Sequence, residues 1–330
     1  MKNALKIIPA ILMIATAMAS RAADDPKLEP NAILRFNFPN LPDTLATMNT
    51  GEKQPAELTA QLPENYSRDG KFPLCVYLDG GDGGRGDRQG IARAIVGSTN
   101  FICVNLPLFK RAYNTNDGLI SLDDFDTVSA AYHAMLQKLL DTVPNITVEH
   151  SAFGGFSNGA HTTGLLVAGQ DEFILRHFQA FYLVEGGFGF LATNVLQKPS
   201  LKHYRFLVLR GDQLDDDQPR SKVAREDITL LARALELQAA QHSLDFTSIV
   251  MHGYAHEFPP KYMAIAGQWI RGEKLPSTEK QSSVWKKNKR LTRRWSQRRL
   301  PLEFMDGLSY TTIIELAEPF AGRQGSALAR

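Results

Sequence analysis

Short runs of apolar residues, each about the length of a strand, recur along the middle of the chain and alternate with stretches of helical spacing. Leu74–Leu78, Ala180–Val184 and Phe206–Leu209 are continuous apolar segments, Phe101–Leu106 is one but for Asn105, each is followed within two residues by Asp, Pro or Gly, and Val148–Phe153 and Phe246–Met251 carry the same β-rich character. A segment apolar on both faces suits a parallel strand covered by helices on either side. Two further strands are expected earlier, over Ala32–Phe38 and Ala56–Leu62. Helical periodicity predicts helices over Val128–Leu140, from Gly159 to about Phe178, over Val223–Gln241 and over Tyr262–Ile270. Ser121–Leu122–Asp123–Asp124 has the form of an N-cap with an acid three residues on, ahead of the first of these. The alternation from about 56 to 271 predicts an α/β fold: a single domain with a mostly parallel central sheet flanked by helices on both faces. In such sheets ligand sites gather at the carboxyl ends of the strands.

At 330 residues and 43% hydrophobic, the chain can bury one large core. The formal net charge of +2 selects no partner by itself, but the charge is unevenly distributed. Residues 286–299, KKNKRLTRRWSQRR, hold eight basic residues and no acidic one, which leaves the remainder net acidic. Flanked by Trp285 and containing Trp295, this segment is expected to be a solvated extension open to contact with an anionic surface; specific nucleic-acid binding is not expected. At the other end, Lys2 and Lys6 precede the uncharged apolar run Ile7–Ala19. Ser20 and Ala22 then occupy small-residue positions ahead of Asp24–Asp25. This is the pattern of a signal peptide, 1–22, and implies an exported protein, periplasmic or secreted. The run falls short of the roughly 20 residues that a membrane span needs. The resulting division is a leader (1–22), an N-terminal extension with the first strand (23–55), the main domain (56–275) and a basic C-terminal extension (276–330). Cys75 and Cys103, the only cysteines, each lie within a strand-like run and are expected to be buried free thiols. Two cysteines without clustered histidines make no metal site.

Chemistry concentrates at four strand ends. Gly155–Phe156–Ser157–Asn158–Gly159 is a G-x-S-x-G segment between an expected strand and an expected helix. A tight strand-to-helix turn there lifts the Ser157 hydroxyl above the sheet, and the Asn158 N–H at the helix start faces a developing oxyanion. The strand ending at Leu78 runs into Asp79–Gly80–Gly81, whose backbone N–H groups, at Gly80 and Gly81, are further candidate oxyanion donors. His256, 99 residues beyond Ser157, lies directly after the last strand and is the candidate general base. His252 competes for that role, whereas His161, inside the helix after the serine, is expected to pack at the rim. The carboxylate that would orient the base is expected after an intervening strand. Gly211–Asp212–Gln213–Leu214–Asp215–Asp216–Asp217 offers four acids; Asp215 is the first choice, with Asp212, Asp216 and, at the end of an earlier strand, Glu185 as alternatives.

Three segments together resemble the α/β-hydrolase superfamily, in particular its exported esterases of the feruloyl-esterase-like, esterase-D-like and polyhydroxybutyrate-depolymerase-like kinds. They are Pro73–Leu74–Cys75–Val76–Tyr77–Leu78–Asp79–Gly80–Gly81, Gly155–Phe156–Ser157–Asn158–Gly159–Ala160 and Gly253–Tyr254–Ala255–His256–Glu257–Phe258–Pro259. The resemblance spans about 56 to 271. It implies a serine hydrolase that cleaves a small-molecule or polymer-linked ester through an acyl-enzyme, without cofactor. Two positions depart from the family pattern. Asp79 stands where those proteins usually carry His, and the usual spacing from glycine to acid lands on Leu214. A serine peptidase of the same fold and an impaired binding protein that keeps the fold are the alternatives.

Overall fold

The computed structural model describes residues 26–109, 125–192, 199–216 and 219–275. The leader, the cap at Ser121–Asp124, Asp217 and the whole basic extension lie outside the described residues.

One eight-stranded sheet organises the chain: β1 (Ile33–Phe38), β2 (Ala56–Gln61), β3 (Phe72–Leu78), β4 (Ile102–Leu106), β5 (Ile146–Phe156), β6 (Ala180–Val184), β7 (Arg205–Gly211) and β8 (Asp245–Met251). Their spatial order is β1-β2-β4-β3-β5-β6-β7-β8. β2 runs antiparallel to both of its neighbours, and β3 to β8 are all parallel. β1, from the stretch before residue 56, thus belongs to the same sheet. All eight expected strands form, with ends shifted by a few residues.

Because successive side chains of a strand point to opposite faces, each parallel strand feeds two cores. Leu74, Val76 and Leu78 of β3, Phe153 of β5, Leu183 of β6 and Val208 of β7 face one side. There they meet α3 (Phe125–Thr142), α4 (Asn158–Ala168), α6 (Phe188–Ala192) and α7 (Pro219–His242). Cys75, Tyr77, Tyr182, Val184 and Leu209 face the other, against α2 (Gln89–Val96) and α8 (Pro260–Ile270). This two-sided burial is why Leu74–Leu78 and β6 read as unbroken apolar runs and why β4 is apolar but for Asn105, whose side chain donates to the Tyr77 carbonyl and accepts from the Arg88 N–H. α2 and α8 cross so closely that a Cβ on Gly267 would collide with the Ile95 carbonyl. Tyr182 is buried whole, and its hydroxyl donates to the Val76 carbonyl at 2.7 Å, removing the penalty of a dry polar group. Cys75 and Cys103 face each other across β3 and β4 as buried free thiols.

Several elements differ from expectation. α1 (Leu45–Thr50), α2 and α6 were not anticipated. The helical stretch expected up to Phe178 divides into α4 and α5 (Glu172–His177), because Gly169 ends the first and the Asp171 side chain caps the second by accepting from Ile174 N–H. No described helix is long and apolar enough to cross a membrane.

Candidate active site

The site is assembled at the carboxyl ends of β3, β5, β6, β7 and β8. Ser157 follows β5 directly and starts α4, with φ 52° and ψ −115°, a conformation that L-residues rarely adopt. Strain of this kind persists only where surrounding contacts enforce it. Here the Ser157 N–H is held by the Val184 carbonyl at 2.8 Å. The turn is tight enough that a Cβ on Gly155 or Gly159 would run into the Leu78 carbonyl oxygen. That contact is the physical reason for both glycines of the G-x-S-x-G segment.

His256 reaches the serine from the loop after β8. Its Nε2 lies 2.9 Å from Ser157 Oγ, and its ring packs against Phe156 at a 41° tilt with centroids 4.9 Å apart. The loop is fixed from below: the Tyr254 carbonyl accepts from Gln213 N–H at 2.9 Å, and the chain crosses Gly211 where a Cβ would strike the Tyr254 and Ala255 carbonyls. His252, the competing histidine, is engaged elsewhere, with Nδ1 2.8 Å from Asp212 Oδ2.

The carboxylate beside the histidine is Glu185, not Asp215. Glu185 ends β6 with φ 55°, and its Oε2 lies 3.3 Å from His256 Nδ1. Its remaining acceptor capacity is filled by the Gly211 N–H and by Arg225 Nη1, 2.9 Å from each oxygen. Burial is the largest influence on this carboxyl and pushes its pKa up. The hydrogen bonds from His256, Arg225 and Gly211, together with the Arg225 charge, more than offset it and hold the group below its ordinary value. An ionised Glu185 is acceptor-only. The proton on the imidazole therefore sits at Nδ1, which leaves Nε2 free to accept from the serine.

Asp215 instead holds the backbone of the histidine loop. Its Oδ1 accepts from the His256 N–H at 2.8 Å and so fixes the loop rather than the ring. Asp212 accepts from His252 Nδ1 and from Gly253 N–H, which, against the opposing effect of desolvation, lower its pKa. Asp216 is exposed on the same loop.

The loop after β3 lies against the serine, and a Cβ on Gly80 would come within 2.7 Å of the Phe156 ring and 3.1 Å of Ser157 Cβ. Of the three expected oxyanion donors, Gly80 is already committed, because its N–H donates to Asp79 Oδ1 at 2.8 Å. The N–H groups of Gly81 and Asn158 have no partner among the described residues, and the Asn158 side chain ties the two segments together by donating to the Gly81 carbonyl at 2.7 Å. Asp79, nearly buried, is an anchor for this loop: besides Gly80 it accepts from Tyr77 Oη at 3.1 Å and from Arg88. Sequence reasoning found neither Arg88 nor Arg225, since nothing in the spacing of a surface helix or a polar loop marks which arginine turns inward. His161 lies beside the centre, its ring against Gly186. Burial first, and then the nearby His256, push its pKa down to about 4, so it stands neutral at ordinary pH.

The eight-stranded, mostly parallel sheet with helices on both faces is the α/β architecture expected from the sequence. No protein-family model and no curated protein matches the sequence. Among solved structures, the chain is similar to a thermostable esterase from Pseudomonas putida, at 14% identity over 78% of this chain and 86% of that one, with a TM-score of 0.47. A feruloyl esterase module from Clostridium thermocellum matches at 15% identity over 75% and 91%, with a TM-score of 0.46. A protein from Bacteroides ovatus described as a dipeptidyl aminopeptidase IV matches at 14% identity over 73% of this chain and 35% of that one, with a TM-score of 0.43. At such identities no residue role and no substrate is carried across.

Proposed function

We propose that this chain is an exported serine hydrolase that cleaves carboxylic esters through an acyl-enzyme. The observation that carries the reading is the 2.9 Å contact between Ser157 Oγ and His256 Nε2, backed by Glu185 at Nδ1. His256 takes the proton as Ser157 Oγ attacks the ester carbonyl, and Glu185 stabilises the imidazolium that forms. The negative charge gathering on the carbonyl oxygen is met by the N–H groups of Gly81 and Asn158, each such donor being worth on the order of 3 kcal/mol in the transition state. The tetrahedral intermediate collapses as His256 returns the proton to the departing alkoxide, which leaves as the alcohol. Water then attacks the acyl-enzyme, with His256 again as base, releasing the acid and restoring the serine. No step calls for a cofactor.

The substrate is an acyl ester, small or attached to a polymer. Export rests on the leader pattern at 1–22, and the basic stretch 286–299 would hold the enzyme near an anionic surface. The test is hydrolysis of a panel of p-nitrophenyl esters set against aminoacyl nitroanilides. Ester turnover that disappears in Ser157→Ala is the expected result. Turnover of the anilides alone would make the chain a peptidase, and inertness towards both, with no labelling by a fluorophosphonate, would leave a binding protein.

A further inference from the structure

Arg225 is a buried charge that the bond-making steps do not use. It sits in the second turn of α7, 40 residues from Glu185 in sequence, with only 10% of its side chain exposed against none of Glu185's. Its Nη1 is 2.9 Å from both carboxylate oxygens and 3.1 Å from the Gly211 carbonyl. Gly211 in turn donates its N–H to Glu185 Oε1, so strand end, helix and acid form one closed unit. Stability alone does not explain such a pair, because two buried ions are often no better than two apolar side chains of similar size. What the pair changes is the field at His256.

We propose that Arg225 is a positioning residue of the site: it holds the Glu185 carboxylate aimed at His256 Nδ1, and its charge sets where the acidic limb of the reaction's pH profile falls. The inference rests on the reading of Ser157 as nucleophile and His256 as its base. To accept the serine proton, the imidazole must start neutral. Beside an unpaired buried carboxylate, an imidazolium is strongly favoured, and the site would switch off well above its working pH. With Arg225 present the acid is already balanced, and protonation of His256 adds an uncompensated charge.

The other groups around the histidine do not supply this balance. His161 on α4 is neutral, with its pKa pushed down to about 4 by burial. Arg210 on β7 is buried and directs Nη1 to the Thr229 hydroxyl at 3.4 Å; its charge is felt alongside those of Glu236 on α7, Arg225, Glu185 and Asp212. Asp212 is paired with His252. Asp215, at the His256 backbone N–H, and Glu257, next in the chain, are exposed to solvent and carry the sign that favours imidazolium. Arg225 is the cation in direct contact with the acid.

A charge within about 4–6 Å moves a pKa by about 1–3 units. With the carboxylate lying between guanidinium and ring, the low end of that range applies. The experiment follows the pH dependence of the fluorophosphonate labelling rate in the full chain, for wild type, Arg225→Met and Arg225→Lys, with melting temperatures recorded alongside. In Arg225→Met the acidic limb should move up by about one pH unit. In Arg225→Lys the limb should stay where it is in wild type, while the plateau rate falls several-fold, since the lysine stem is one bond shorter and can bring its ammonium to the place of Nη1 only by drawing the carboxylate away from His256. A limb in Arg225→Met that overlays wild type overturns the proposal. If Arg225→Met does not fold, Arg225→Lys decides alone: a limb displaced by a full unit, or an unchanged plateau, overturns it. Failure of the underlying reading looks different, because wild type would then not be labelled at Ser157 at any pH.

Discussion

Replacing Glu185 by Gln, with Asp215→Asn as its control, separates the two carboxylates that compete for the role beside His256. In the native site Glu185 receives the Gly211 N–H, Arg225 and His256 Nδ1–H, and donates nothing. A glutamine has one acceptor oxygen and an NH2 group. If the oxygen turns to Arg225 and Gly211, the NH2 meets His256 and requires Nδ1 to be the acceptor. The ring proton then moves to Nε2, where it blocks proton transfer from Ser157. If the amide flips, its NH2 confronts a guanidinium and a backbone donor. The first arrangement loses the productive tautomer, and the second keeps it only by holding the NH2 against two donors; losses from the wrong tautomer in other triads are about 10⁴-fold in kcat, or about 5.4 kcal/mol at 1.36 kcal/mol per decade. Leaving Arg225 buried without its counter-ion costs a further 3–5 kcal/mol or so of stability, so rates should be taken at low temperature with folding checked by circular dichroism. Asp215→Asn keeps an oxygen for the His256 backbone N–H and loses only an exposed charge, so hydrolysis of p-nitrophenyl acetate should fall by less than about tenfold, the worth of one ordinary hydrogen bond. Asp215→Asn as damaging as Glu185→Gln, both folded, would refute this assignment.

Other consequences are equally direct. Asn158→Ala removes the bond from Nδ2 to the Gly81 carbonyl but keeps the backbone donor, so kcat should fall about three- to tenfold with KM little changed; a loss of a thousandfold would mean that the side chain itself binds the oxyanion. Gly159→Ala drives a Cβ into the Leu78 carbonyl and should abolish fluorophosphonate labelling or folding, whereas a wild-type melting temperature with full labelling would contradict the strained turn. Glu185 titrates below its ordinary value of 4.5 when folded, so its stabilisation is complete above that value and is lost as pH falls through the lower folded one. His161, with a folded value of about 4 against 6.5 unfolded, adds a loss of stability as pH falls between those two values. The melting temperature should therefore decline from pH 6.5 downwards, and His161→Gln should flatten the upper part of that decline; an unchanged upper part would show that His161 is not buried neutral.

The sequence made the sheet legible because burial on both faces leaves its mark residue by residue: Leu74–Leu78 and Ala180–Val184 cannot be anything but apolar. The turn at Ser157 was legible for a related reason, since two glycines are forced by one carbonyl oxygen. α2 was not, because its apolar residues Ile91, Ala92, Ile95 and Val96 follow a glycine- and charge-rich loop and carry Gly90 in the first turn, so local propensity and tertiary packing disagree. The break between α4 and α5 was not legible either, because apolar spacing continues across Gly169 and Asp171 and only the fold shows the Asp171 side chain capping a new helix. The acid was misassigned for an electrostatic reason. Four acids after β7 look like the better supply of carboxylate, but three of them, Asp212, Asp215 and Asp216, are exposed in the fold and the fourth lies outside the described residues. A single buried glutamate is tolerable only with a matching cation, and that cation, Arg225, comes from a helix 40 residues away. Spacing carries no trace of such a pairing. Gly80 was misread for a similar reason, since its N–H is consumed by the side chain that precedes it, Asp79.

The central claim is that Ser157 is a nucleophile activated by His256. The most direct test is mass spectrometry of the chain after reaction with a fluorophosphonate, in wild type, Ser157→Ala and His256→Ala. The account predicts one adduct, on the peptide carrying Ser157, absent from Ser157→Ala and formed at least a thousandfold more slowly in His256→Ala, in line with the roughly 10⁶-fold effect of losing the base in other triads. An adduct on another residue, or undiminished labelling of Ser157→Ala, would contradict it.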